Sequence, residues 1–107
     1  MDNNILTIIK MRVEITESDR KDKKMKAIFY DGDKKIKTTH FGAKNPKIGT
    51  YIEHKDKSIK FAWIARHEVR GDFKDFMTPS SLSYHILWNK PTLQASIKDY
   101  KNKFNLD

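Results

Sequence analysis

Lys24 and Lys26 stand at alternate positions in one short strand-like segment, and Lys35 and Lys37 do the same in the next. Alternate residues of a strand project to the same side, so each pair shares a face. If the two segments form a hairpin and those faces coincide, four ammonium groups make one patch. Such a patch meets phosphates, releases their counterions and binds in a salt-dependent way. Lys44, in the glycine-containing stretch 42–49, extends it, with Lys47 beside it. The plainer alternative is a solvated sheet face whose lysines keep an edge from pairing with other chains. No known nucleic-acid motif accompanies these residues.

Other residue types suggest other chemistry. Glu53-His54-Lys55 has the acid-x-Lys spacing, and Asp31 or Asp33 supplies a second carboxylate. That set suits a small Mg²⁺-dependent nuclease, with two carboxylates holding the ion and the lysine offsetting developing charge. A turn at Gly32 accounts for Asp31 and Asp33 without catalysis, and acid-x-Lys recurs by chance in so charged a chain. His40, His54, His67 and His85 are irregularly spaced with no His-x-x-x-His, so no metal centre is expected. Ser80, Ser81 and Ser83 read as a helix start, and Gly-x-Ser-x-Gly and Gly-x-x-x-x-Gly-Lys are both missing from the sequence. The residues therefore predict a protein with neither a catalytic centre nor a cofactor. Phe29, Tyr30, Phe41, Tyr51, Trp63, Tyr84 and Trp88 offer faces on which bases can stack. At strand and helix spacing they read as core.

The elements that position these groups follow from composition and pattern. The 107 residues suit a single domain over residues 1–107, and six Phe, four Tyr and two Trp provide for a modest core. Lys and Arg total 22 against 14 Asp and Glu, for a net charge of +8, which favours a polyanionic partner. Acids are interspersed with bases throughout, so simple solubility explains part of that excess. With no Cys, disulfides and thiolate metal sites are excluded. The N-terminal stretch is interrupted by Thr7, Lys10 and Arg12, so neither a signal peptide nor a membrane span is expected, and a cell interior is.

Ile9, Met11, Val13 and Ile15 alternate with polar residues, predicting a strand over about 5–16. Residues 18–24 are all polar and read as a loop. Strands follow over about 25–31 and 34–41, joined by Asp31-Gly32-Asp33, a hairpin turn signal. The three predict a small antiparallel sheet with one face buried. Thr50 to Glu53 reads as a further extended piece. Helices are predicted over about 55–69, ended by Gly71, over 80–88 after Thr78-Pro79, and over 92–104. Leu93, Ile97, Tyr100 and Phe104 give the last a clean helical spacing. The fold class is α+β, a three-stranded sheet packed against about three helices.

Two stretches carry a resemblance. One is Lys37-Thr38-Thr39-His40-Phe41-Gly42-Ala43-Lys44. The other is Ile86-Leu87-Trp88-Asn89-Lys90-Pro91-Thr92-Leu93 with Ser96 to Tyr100 and Phe104; His54-Lys55-Asp56 and Ile64 to His67 lie between. From about Met11 to Leu106 the chain resembles a family of small basic proteins of unknown function encoded by large DNA viruses of algae and amoebae. It departs from that pattern at Asn45-Pro46-Lys47 and between Gly71 and Ser81. The resemblance transfers no functional residue. It implies a viral product located in the virion or the host-cell interior, with viral DNA or capsid proteins as partners.

Overall fold

The computed structural model describes residues 10–44, 47–69 and 73–107. Strands β1 (Met11–Glu17), β2 (Lys23–Asp31) and β3 (Lys34–Ala43) form an antiparallel sheet in the order β1-β2-β3. Residues 5–9 of the predicted first strand lie outside the described residues. The β2–β3 hairpin turns on Gly32 at φ 63, a conformation that glycine adopts without penalty. Val13 pairs with Phe29, Ile15 with Ala27 and Met25 with Phe41, so odd-numbered residues of β1, of β2 and of β3 from Lys37 onward share a face. Val13, Met25, Ala27, Phe29 and Phe41 on that face are buried. β2 starts two residues earlier than predicted, which shortens the preceding loop to 18–22. At the free edge of β1, Val13 N–H donates to the Asp107 carbonyl, and Asp107 N–H donates to that of Met11.

Thr50 to Glu53, expected to be extended, instead begins a helical turn, α1 (Tyr51–His54). Thr50 donates from both its backbone N–H and its hydroxyl to Glu53 Oε1, 2.6 Å each, closing a capping box. Lys55 then turns left-handed (φ 55), and Asp56 caps α2 (Lys57–Glu68) by accepting from the N–H groups of Ser58 and Ile59. The predicted start at 55 therefore moves to 57. The Gly71 cap falls outside the described residues. Thr78 caps α3 (Pro79–Leu82). The predicted 80–88 helix widens after α3 into a π turn, Ser83–Leu87, in which Trp88 N–H reaches the Ser83 carbonyl at 3.1 Å. Thr92 caps α4 (Leu93–Lys103), close to the predicted span.

The protein is thus α+β, with its helices in the C-terminal half. Leu82, Ile86, Leu87 and Trp88 join the sheet's apolar face in one core, with Tyr51, Tyr100 and Leu106. The connection before α3 is tied down by side chains that donate to its carbonyls: Ser81 and His85 to Phe73, Tyr100 to Phe76, and Thr39 to Met77. No helix among the described residues is long and apolar enough to cross a membrane.

His85 is 2 % exposed, and its Nε2 lies 3.1 Å from the Phe73 carbonyl, so the proton sits on Nε2. Burial lowers its pKa below the usual histidine value, despite the bond to Phe73. A depressed pKa means that the unfolded chain takes up the proton first. The stability is fully present above about pH 6.5 and declines as pH falls from there through the folded value. The melting temperature is expected to drop between about pH 7 and pH 5, and to drop less in His85→Gln.

Candidate polyanion interface

The lysine patch predicted on the hairpin does not form as one surface. Lys24 and Lys26 do share the sheet's uncovered face, but each has a carboxylate partner: Glu53 at 3.1 Å and Asp19 at 3.6 Å. Burial alone would raise the pKa of Glu53; the Thr50 hydroxyl and N–H, with Lys24, outweigh it and hold the group ionised. Lys35 pairs with Tyr30 and Lys37 with Phe29, residues on opposite faces of β2. A bulge, with Ile36 as the extra residue, shifts the register between Phe29 and Tyr30 and separates the two side chains. Lys35 is left on the Lys26 face but four strand residues away, about 13 Å. Lys44 is exposed beyond the end of β3, its N–H on the Asp22 carbonyl.

The residues considered for a nuclease are also apart. Glu53 is engaged by Thr50 and Lys24, while Asp31 and Asp33 sit at the hairpin turn, about 23 Å along β2 from Lys24. Lys55 points its ammonium at the carbonyls of Ile52 and Pro91, 2.7 Å from each. Among the described residues no group of His, Asp and Glu could hold a metal ion. Each histidine has structural contacts. His40 Nδ1 lies 2.7 Å from Ser18 Oγ, His54 Nδ1 accepts from Asp56 N–H, and His67 Nδ1 donates to the Trp63 carbonyl.

The structure does bring cations together at the loop that follows the π turn. Lys60 Nζ donates to the Asn89 carbonyl at 2.6 Å and Lys55 Nζ to that of Pro91. These carbonyls are two residues apart, at most about 7 Å along the chain, and Lys90 lies between them. Burial lowers the pKa of Lys60, and the neighbouring charges of Lys90 and Lys57 lower it further. None of the ion pairs among the described residues involves Lys55, Lys60 or Lys90. Like charges crowded without a counter-charge lose repulsion when an anion arrives. No signal in the sequence marks this site: residues 57–67 lack a carboxylate, but so do the longer runs 34–52 and 76–98.

The other end of α2 walls a cleft of about 420 Å³. Trp63 stacks on Trp88 with centroids 4.9 Å apart and on His67 at 4.0 Å. Arg66 and Lys23 line the same cleft, neither with an ion-pair partner among the described residues. Of the aromatics foreseen as core, Phe29, Phe41, Tyr51 and Trp88 are buried, while Tyr30, Trp63 and Tyr84 are half-buried. Gly42 forms part of the cleft floor at φ 80, and a Cβ there would meet Leu87 Cδ1 at 2.7 Å and Lys24 Cβ at 3.3 Å. Gly42→Ala is expected to cost about 2–3 kcal/mol in chemical denaturation. Gly32→Ala, with open space around it, is expected to cost about 1 kcal/mol.

Residues 13–67, just over half of the chain, match the model of a family of unknown function, DUF5754, and the protein belongs to that family. No curated protein and no solved structure matches it.

Proposed function

We propose that this member of DUF5754 is a binding protein for a polyanion, with viral DNA as the natural partner, contacted with little sequence preference. The reading rests on one observation: Lys55, Lys60 and Lys90 gather around the Asn89–Pro91 loop and none of them is in an ion pair among the described residues, the nearby Asp99 carboxylate being taken by the Asn89 amide at 2.7 Å. Two of the three ammonium groups are held by backbone carbonyls, so little side-chain freedom remains to be lost on binding. The net charge of +8 adds long-range attraction and speeds encounter. DNA, rather than another polyanion, is suggested by the resemblance to products of large DNA viruses.

The test is a titration of labelled single- and double-stranded DNA across a salt series, followed by fluorescence anisotropy. Affinity is expected to fall linearly on a log–log plot, with a slope of about 0.9 per phosphate neutralised on the duplex. Affinity that stays flat with salt, or no stronger than that of an unrelated protein of equal charge, rejects the proposal.

A second reading, as a minor capsid protein seated against a coat protein, draws on the exposed apolar side chains Ile48, Phe61 and Val69. Fractionating purified virions separates the two readings: genome binding places the chain with the DNA, and a capsid role places it in an ordered shell layer.

A further inference from the structure

α2 is apolar on two sides, and only one of them is used. Ile59, Trp63, Ile64 and His67 turn toward the rest of the fold, yet no residue of the helix is fully buried. On the opposite side Ser58, Ala62, Ala65 and Val69 follow one another at intervals of four, three and four, with Phe61 three residues after Ser58 and four before Ala65. That spacing makes one continuous stripe on a helix. Phe61 is 60 % exposed and Val69 is 85 % exposed, although both are large apolar residues. A solvent-facing helix surface is normally polar, so a stripe of this kind marks a contact.

Charge says what the contact is. Lys57 and Glu68 flank the stripe on the same side, eleven residues or about three turns apart. Neither has an ion-pair partner among the described residues. Each also stands at the unfavourable end of the helix dipole: a cation in the first turn and an anion in the last. A second α2 running antiparallel reverses both faults. With a two-fold axis level with the chain between Ala62 and Trp63, Lys57 of each copy meets Glu68 of the other, and the two ion pairs form on one side of the contact, as flanking charges do in antiparallel helix pairs. The Phe61 ring of each then faces Ala65 of the second copy, where the small side chain allows close approach of the axes.

We propose that this protein self-associates as a two-fold dimer through α2, with the stripe Phe61, Ala62, Ala65 and Val69 buried between antiparallel helices and Lys57–Glu68 pairs at both ends. The inference does not rest on polyanion binding, since Lys55, Lys60 and Lys90 are not part of the stripe, though Lys60 Nζ lies 5.7 Å from the Phe61 ring centroid. Two helices of this length make a contact smaller than a standard stable interface, so the dimer is a weak one. Chains carrying a charge of +8 also repel at low salt, and the association is best read near 0.1 M salt, where charges more than about 10 Å apart are screened.

Sedimentation equilibrium from about 10 µM to about 1 mM chain tests this without added DNA. The expected result is a rise in average mass toward twice that of the single chain. Phe61→Glu, at an exposed position, abolishes the rise while leaving the circular dichroism spectrum unchanged. Lys57→Glu and Glu68→Lys each weaken the dimer about tenfold, and the double variant recovers it, because both pairs are then restored with reversed sign. A monomer at every concentration overturns the proposal. So does a dimer indifferent to Phe61→Glu, or a double variant that is no better than either single one.

Discussion

Replacing Lys55, Lys60 and Lys90 together by Ala is expected to weaken DNA binding about 10- to 100-fold at low salt and to lower the salt slope by about three. None of the three has an ion-pair carboxylate among the described residues, so the loss is not offset by freeing one of those acids. The change in slope is the more diagnostic readout, because it reports how many phosphate contacts have gone. Lys24→Ala with Lys26→Ala removes two charges as well, but liberates Glu53 and Asp19. That double variant should change affinity by no more than about twofold to fivefold, through net charge alone. If the two variants lose affinity equally, binding follows total charge and has no location, and the interface described here is wrong.

Phe29→Ala is expected to cost about 3–5 kcal/mol in stability, enough to unfold a large share of a domain this small. Phe29 is 0 % exposed, lies on the middle strand opposite Val13, and meets Phe76 edge to face at 5.8 Å. Its removal leaves a void in a packed core, and the melting temperature should fall by about 15 °C or more. Tyr30, the next residue, supplies the contrast. It is half-buried on the uncovered face, where the Arg12 guanidinium sits 4.0 Å from its ring centroid. Tyr30→Ala should cost about 1 kcal/mol or less. Equal losses at the two positions in urea denaturation would mean that the sheet is covered on both faces.

Much of the sheet was readable because its signals are local. Met11, Val13 and Ile15 alternate within one short segment, and Asp31-Gly32-Asp33 announces its own turn. The last helix was readable for the same reason. Thr50 to Glu53 was misread although its signal was present, since Thr-x-x-Glu is the sequence form of a capping box. Lys35 and Lys37 failed for a different cause. Residues 34–38 are exposed on both sides, so neither face leaves an apolar mark, and a bulge inside such a segment has no signature. The ion pairs of Lys24 and Lys26 and the carbonyls that hold Lys55 and Lys60 are tertiary facts. They depend on where the 89–91 loop and Glu53 come to rest, which no spacing along the chain encodes.

The wide turn at Ser83–Leu87 sets the position of the Trp88 ring. Its Trp88-to-Ser83 bond spans five residues where an ordinary helical bond spans four. Shedding one residue there would leave a regular helix and break no secondary structure, yet it would swing everything beyond it by about 100°. Trp88 would rotate off Trp63, the cleft would lose a wall, and the Asn89–Pro91 carbonyls would carry their lysines elsewhere. A single-residue deletion in this turn is thus the smallest lesion that can take both surfaces away while the chain still looks helical.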